Sequence, residues 1–145
     1  MKLLFVADPL EGFKTAKDTT FAMMREAASR GHQLLACQAR DLRWQRGGEV
    51  GAIVRQFELT DQAIRSTAGE AVDQWFVEDS ARQSGSALAL SAVDAVVMRS
   101  DPPFDIEYFY ASHLLGHAER HGARVFNSAQ ALRDHPEKLA ILEFP

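Results

Sequence analysis

The chain has 145 residues, a formal net charge of -4 and 46% hydrophobic residues. Such a length suits one domain, in which folding buries roughly 68–70% of the unfolded surface. The negative charge argues against nucleic-acid binding, since proteins that contact the phosphate backbone are normally basic. No apolar run is long enough to cross a bilayer, and the single cysteine, Cys37, excludes an intramolecular disulfide. We expect a cytoplasmic protein that binds neither nucleic acid nor membrane.

The amino-terminal part predicts alternating strands and helices. Lys2 to Ala7 is apolar and predicts a central strand. A helix follows, because Asp18 or Thr19 is a good N-cap and Gly31 is a typical C-terminal stop. Gln33 to Gln38 predicts the second strand. Strand, helix and strand in this order indicate a right-handed parallel crossover.

The middle of the chain favours antiparallel strands. Gly47-Gly48 is a turn signal between a polar segment and the alternating segment Ala52 to Thr60. We predict a hairpin at the edge of the sheet from these segments. Asp61 to Leu90 is rich in Ala, Ser, Gln and charge. It is predicted to be irregular or partly helical, with Trp75 and Phe76 as apolar anchors.

The last third predicts a long helix from Ile106 to His121, then a short strand from Arg124 to Asn127 and a helix capped by Ser128. A further helix is predicted from His135-Pro136. In the long helix, apolar residues four apart predict one buried face. That face consists of Ile106, Tyr110, Leu114 and Ala118, widened by Phe109, Ala111 and Leu115. The whole pattern predicts an α/β fold, with a largely parallel sheet flanked by helices.

A charged turn follows a buried strand in the centre of the chain. Ala95 to Met98 is an unbroken apolar run, and Arg99, Asp101 and Pro102-Pro103 come directly after it. Ligands of open α/β sheets bind outside the carboxyl ends of the strands. A guanidinium presents paired donors to a carboxylate, which suits an amino acid or a peptide. The alternative is an internal pair between Arg99 and Asp101 that only shapes the turn.

A second polar loop lies between the first strand and its helix. It contains Lys14, Lys17, Asp18, Thr19 and Thr20. Free N–H groups at a helix N-terminus attract anions, so this loop is a second candidate for ligand binding. The alternative is simple capping by Asp18 beside solvated lysines. No glycine-rich phosphate loop is present.

Two other groups predict structure rather than chemistry. His113, His117 and His121 lie four apart on one helix edge, but no HExxH pattern accompanies them. We interpret them as a half-buried helix edge. Cys37 lies in an apolar strand and is predicted to be an inert core thiol. The sequence therefore predicts no metal ligand and no catalytic residue.

Several short segments resemble the amino-terminal part of bacterial glutathione synthetases. They are Asp8-Pro9, Lys17 to Met23, Met98 to Asp105, Asn127-Ser128, Leu132 to Asp134 and Glu137 to Leu139. The block Arg-x-Asp-Pro-Pro-Phe-Asp at 99–105 is the most specific of them. The chain departs from the family at Ser100, where lysine is frequent, and at Pro136, where asparagine is frequent.

This resemblance implies a Rossmann-like pre-ATP-grasp substrate domain over residues 1–134, and the start of the linker or helix into an ATP-grasp domain over 135–145. The full-length family members are ATP-dependent ligases. They join γ-glutamylcysteine and glycine through an acyl phosphate to give glutathione, ADP and phosphate. Their cofactors, ATP and Mg²⁺, would be bound mainly by an ATP-grasp part beyond this chain. We therefore expect a homo-oligomeric ligase whose 145-residue piece is inactive by itself.

The resemblance also implies site residues. The peptide substrate would contact Lys17, Asp18, Thr19, Thr20, Arg99, Asp101 and Pro102, and ATP would contact Lys138. Two alternatives stay open. The chain could be the amino-terminal domain of another ATP-grasp ligase that acts on an amino acid or peptide, or a self-contained, non-catalytic α/β binding module.

Overall fold

The structure, a computed structural model, describes residues 1–78, 87–135 and 141–142. The strands in these ranges are β1 (Lys2–Val6), β2 (Gln33–Cys37), β3 (Leu42–Arg43), β4 (Gly51–Ala52), β5 (Arg55–Leu59), β6 (Phe76–Glu78), β7 (Leu88–Ala89), β8 (Ala95–Met98) and β9 (Val125–Phe126). The α-helices are α1 (Thr19–Ser29), α2 (Asp61–Arg65), α3 (Ile106–Arg120) and α4 (Ala129–Asp134). The helix predicted from His135-Pro136 lies largely outside the described residues.

A six-stranded sheet forms the centre of the fold, in the order β6-β5-β2-β1-β8-β9. β1 pairs in parallel with β2 on one side and with β8 on the other, and β9 extends the parallel part. β5 and β6 complete the sheet with antiparallel pairing. The predicted α/β class, with a largely parallel sheet flanked by helices, is confirmed.

The predicted edge hairpin is present in a different arrangement. The turn at Gly47-Gly48 joins β3 to β4, which form a separate three-stranded antiparallel sheet with β7. The chain then leaves β4, and β5 enters the main sheet. The single predicted strand from Ala52 to Thr60 is therefore two strands, because Ala52 and Phe57 pack into cores on opposite faces of the main sheet.

Alternate residues of β1 supply two hydrophobic cores. Leu4 and Val6 pack on the face covered by α3 and α4, while Phe5 packs on the face covered by α1. Burying one such side chain contributes about 1.5–3 kcal/mol. The predicted apolar anchor Trp75 is 3% exposed and stacks on Phe13, with ring centroids 5.5 Å apart. Both faces of the sheet are thus held by packing, and its carboxyl edge is left for polar side chains.

The buried face predicted for α3 is wrong in its first two turns. Ile106 and Tyr110 are 66% and 63% exposed, and Phe109 is 39% exposed. The residues of α3 that are buried are Ala111, Ser112, Leu115, Gly116 and Ala118. Small residues decide which face of α3 is buried. The side chain of Arg133 crosses the helix at Gly116, where there is no side chain, and donates to the Ser112 carbonyl over 2.6 Å. Apolar spacing alone carries no information about this close approach.

Candidate functional site

The main-chain pairing aligns the carboxyl ends of three neighbouring strands. The N–H of Ala7 donates to the Cys37 carbonyl over 2.9 Å, and the N–H of Arg99 donates to the Val6 carbonyl over 2.7 Å. Asp8 lies two residues after the end of β1, and Arg99 directly follows β8. The two loops therefore leave the sheet side by side, as the sequence predicted for the ligand-binding edge of an α/β sheet.

Two threonine hydroxyls at the start of α1 hold Arg99. Its Nε donates to Thr20 Oγ1 over 3.1 Å, and its Nη2 donates to Thr19 Oγ1 over 2.7 Å. Asp18 fixes this first turn, since its Oδ1 accepts from the N–H of Thr20 over 2.7 Å and from that of Phe21 over 3.0 Å. Of the two predicted N-cap candidates, Asp18 and Thr19, Asp18 is the residue that caps α1. The cap also presents the two hydroxyls to Arg99.

The internal pair between Arg99 and Asp101 does not form. Among the residues that the structure describes, no carboxylate oxygen lies within 4.0 Å of the Arg99 guanidinium. Arg99 is half-buried, and its hydrogen-bond partners are neutral hydroxyls. A cation held in this way keeps its charge available to an anionic ligand, because hydroxyls orient a guanidinium without neutralising it.

Two cavities open at this edge of the sheet. The first, of about 220 Å³, is lined by Asp8, Asp18, Thr20, Arg99 and Asp101 among others. The second, of about 260 Å³, is lined by residues that include Gln38, Pro102, Asp105 and Tyr108. Asp8 and Asp101 line both cavities. A ligand with separate polar groups could therefore extend from one cavity into the other past these two carboxylates.

The carboxylate of Asp8 lies in an environment that disfavours its charge. Partial desolvation raises its pKa above the usual range, and the nearby carboxylates of Asp101 and Asp18 raise it further. A hydrogen bond from the backbone N–H of Asp101 works in the opposite direction. Crowded negative charge next to an uncompensated guanidinium suits a ligand that carries both an ammonium and a carboxylate group.

The structure brings most of the predicted site residues together, with two exceptions. Lys17 is exposed and lines a third cavity, of about 550 Å³, together with Lys14, Trp75 and Phe76. Lys138 lies outside the described residues.

Sequence reasoning missed three side chains of this edge, Asp8, Gln38 and Tyr108. A signal for two of them was available, because Asp8 and Gln38 lie within two residues of the carboxyl ends of β1 and β2. Tyr108 has no such signal, since its position depends on the direction in which α3 leaves the double-proline turn.

Cys37 lies in the core, and only one of the three histidines is half-buried as predicted. Cys37 is buried, and its burial, helped by repulsion from Asp41, raises the pKa of its thiol to about 12. His113 and His121 are exposed and His117 is half-buried. Within 1–78, 87–135 and 141–142, no group of three or more His, Cys, Asp or Glu side chains could hold a metal ion. Over the same residues, no helix is both long and apolar enough to span a membrane.

Comparison with known proteins identifies the family. The family model described as "Prokaryotic glutathione synthetase, N-terminal domain" matches residues 1–133. The glutathione synthetase of Nitrosomonas europaea is 47% identical over 145 residues, which are 100% of this chain and 42% of that protein. Its counterpart in Neisseria meningitidis serogroup B is 49% identical over 144 residues, 99% of this chain and 42% of that protein. The glutathione synthetase of Bordetella pertussis is 45% identical over 147 aligned positions, 100% of this chain and 43% of that protein.

These curated relatives are more than twice as long as the chain, which spans about 42% of their length. The match begins at residue 1 and includes every site residue considered above except Lys138. The resemblance found in the short motifs is thus confirmed by similarity along the whole sequence. The chain belongs to the family of prokaryotic glutathione synthetase N-terminal domains.

Proposed function

We propose that this chain is the substrate-side domain of an ATP-dependent carboxylate-amine ligase. The complete enzyme joins γ-glutamylcysteine and glycine through an acyl phosphate and releases glutathione, ADP and phosphate. Family membership supports this proposal, together with 45–49% identity to proteins named glutathione synthetase. Within the chain, the observation that carries the proposal is the half-buried guanidinium of Arg99, held by Thr19 and Thr20 and free of carboxylate partners among the described residues.

The geometry around Arg99 suits a carboxylate of the peptide. Thr19 is exposed, and its hydroxyl oxygen accepts from the guanidinium. Its hydroxyl proton can therefore be donated to the carboxylate oxygen of a ligand that Arg99 binds. Arg99 and Thr19 thus present adjacent donors. Hydrogen bonds between a guanidinium and a carboxylate are short and strong, and they fix the orientation of the ligand. Thr20 is buried and acts by orienting Arg99.

The other proposed contacts have different geometric requirements. Asp101 lies at the boundary of the two cavities, and Pro102 lines only the second of them. Asp18 acts through the N-cap that presents Thr19 and Thr20. Lys17 lines the third cavity, so its proposed contact requires the peptide to extend across the loop between β1 and α1.

The described residues do not fit Mg²⁺. They offer no cluster of metal ligands for Mg²⁺, and the proposed ATP contact, Lys138, lies outside them. We therefore assign substrate binding to residues 1–134, and ATP and Mg²⁺ binding to residues 135–145 and to sequence corresponding to the remainder of the longer relatives. A homo-oligomeric state and a cytoplasmic location are part of the same proposal and rest on the family resemblance.

A coupled ADP-release assay tests the proposal. The chain would be expressed together with any coding sequence that follows it, and assayed with γ-glutamylcysteine, glycine, ATP and Mg²⁺, each omitted in turn. ADP release that requires both the peptide and glycine is the expected result. Release with other amino acids in place of glycine, but not with glycine, would indicate a different ATP-grasp ligase. A folded protein that binds the peptide and releases no ADP would support a non-catalytic binding module and contradict the proposal.

A further inference from the structure

Asp8 borders the candidate site, although neither the sequence pattern nor the family resemblance gave it a role in ligand binding. It follows Ala7, whose N–H donates to the Cys37 carbonyl at the end of the neighbouring strand β2. Its carboxylate accepts from the backbone N–H of Asp101 in the loop after β8. The side chain is therefore held between two strand ends. It borders both cavities at the carboxyl edge of the sheet.

The opposite charges of this site are close to each other and unpaired. Asp8 and Arg99 line the same cavity of about 220 Å³, yet Arg99 donates to threonine hydroxyls. No ion pair between Asp8 and Arg99 forms, so a ligand would not need to break one. An α-amino acid group carries an ammonium and a carboxylate on one carbon atom. Its ammonium could bind Asp8 while its carboxylate binds Arg99.

Of the two other carboxylates of the cavity, that of Asp18 is less suited to an ammonium group. Asp18 is the N-cap of α1 and already accepts two backbone N–H groups. Asp101 lies in the loop after β8, and its backbone N–H orients Asp8. The carboxylates around Asp8 disfavour its ionised form, so a bound ammonium would relieve this repulsion.

We infer that Asp8 is a specificity-determining residue, which accepts from the α-ammonium group of the γ-glutamyl residue while Arg99 binds the α-carboxylate of the same residue. This inference rests on the proposed function, because it names the part of γ-glutamylcysteine that enters the cavity. It gives Asp8 a role that differs from that of Arg99. Asp8 selects substrates that carry an amino group, and Arg99 binds the carboxylate whether or not the amino group is present.

The test compares two substrates in the ADP-release assay, with the chain expressed as above. One substrate is γ-glutamylcysteine, and the other is N-glutaryl-cysteine, which lacks only the α-amino group. We expect wild-type protein to prefer γ-glutamylcysteine in kcat/KM by about tenfold or more, as for a charge-assisted hydrogen bond. Asp8→Asn should lower kcat/KM for γ-glutamylcysteine by about the same factor and leave that for the glutaryl compound nearly unchanged.

Two further variants control for general damage. Arg99→Ala should lower kcat/KM for both substrates and keep the preference for the substrate that carries the amino group. Glu58→Gln changes an exposed carboxylate at the opposite edge of the sheet, beside Gln33 and Leu34, and should change nothing. Asp8→Asn keeps an oxygen that can accept from the Asp101 N–H, which preserves the local fold.

Three results would overturn the inference. They are an equal loss of kcat/KM for both substrates in Asp8→Asn, no loss for either, or equal use of both substrates by the wild-type protein. The last result decides the matter even if the variant does not fold. Wild-type turnover of γ-glutamylcysteine and glycine is measured first. Its absence would contradict the proposed function, whereas its presence with an unaltered substrate preference would contradict the role of Asp8 alone.

Discussion

Arg99 and Arg55 are two arginines beside one sheet, and their surroundings differ. Arg55 lies on β5, where its Nη2 donates to Glu11 over 2.5 Å and its Nε donates to Glu78 over 2.5 Å. Two carboxylates thus compensate this cation, which ties the loop after β1 to the antiparallel edge of the sheet. Arg99 has two hydroxyls in the equivalent role. A compensated arginine stabilises a fold, whereas one oriented by neutral groups remains available to a ligand.

The largest expected effect is that of Arg99→Ala on substrate binding. Loss of a charge-assisted contact costs about 1.5–3 kcal/mol, which corresponds to about 10- to 150-fold in kcat/KM for γ-glutamylcysteine. The free energy of unfolding should fall by about 1 kcal/mol, because the variant loses the hydrogen bonds to Thr19 and to the buried Thr20. Steady-state kinetics and urea unfolding measure the two quantities. Unchanged kcat/KM with a large loss of stability would reverse the roles of the two arginines.

Asp18→Ala should affect both stability and binding. The N-cap contributes about 1 kcal/mol to the stability of a helix, and this one also presents Thr19 and Thr20 to Arg99. We expect a lower free energy of unfolding and a KM for γ-glutamylcysteine that rises several-fold. Asp18→Ser keeps a capping oxygen and should restore most of both.

Thr60→Ala is the matched control, since Thr60 Oγ1 caps α2 by accepting from the N–H of Ala63 over 3.3 Å. It should destabilise the protein by a comparable amount and leave the KM unchanged. A rise in KM for Thr60→Ala as large as that for Asp18→Ala would show that binding merely follows stability.

Arg55→Ala should change stability alone. Partly exposed ion pairs contribute up to about 1 kcal/mol each. Removing the Arg55 side chain breaks two of them, with Glu11 and with Glu78. We expect a loss of about 1 kcal/mol in the free energy of unfolding and an unchanged KM for γ-glutamylcysteine. Arg30→Ala, which breaks an exposed pair with Glu26, should cost less than half of this. A KM effect of Arg55→Ala similar to that of Arg99→Ala would remove the distinction between them.

The smallest expected effects are in the pH dependence of stability, and they have opposite signs at the two sites. Hydrogen bonding to Arg55 lowers the pKa of Glu11. Its stabilisation is therefore complete above the ordinary glutamate pKa and is lost as the pH falls through the lowered value. The pKa of Asp8 is raised, so its charged form destabilises the fold. This destabilisation is lost as the pH falls through the raised pKa and the carboxylate takes up a proton.

Urea unfolding at about pH 7 and about pH 3.5 measures these contributions. Glu11→Gln should destabilise the protein at the higher pH, whereas Asp8→Asn should stabilise it slightly there. Both differences should shrink at the lower pH. Differences of the same sign for the two variants would contradict this assignment of the charges.

Local signals predicted the elements that build the site. Ala95 to Met98 and Lys2 to Ala7 are apolar runs bounded by charge and proline, and Asp18 is a capping residue before an amphipathic segment. Such features are set by neighbours in sequence, so they are visible without the fold. These local features are sufficient to predict that Arg99 and Asp18 lie at the carboxyl edge of the sheet.

Contacts between distant residues were not predictable in the same way. The choice of Thr19 and Thr20 rather than Asp101 as partners of Arg99 depends on how α1 docks beside β8. The orientation of α3 depends on the passage of Arg133 across Gly116. Sequence spacing carries no information about either, because both follow from the packing of elements that are far apart along the chain.

A crystal structure of the protein with γ-glutamylcysteine, expressed with any coding sequence that follows residue 145, would show directly whether Arg99 binds the peptide. We predict that a carboxylate of the peptide lies within hydrogen-bonding distance of the Arg99 guanidinium, next to Thr19 and at the carboxyl ends of β1 and β8. A peptide bound elsewhere, for example in the cavity beside Lys17 and Trp75, while Arg99 keeps only its two threonine partners, would contradict the role of Arg99 in substrate binding.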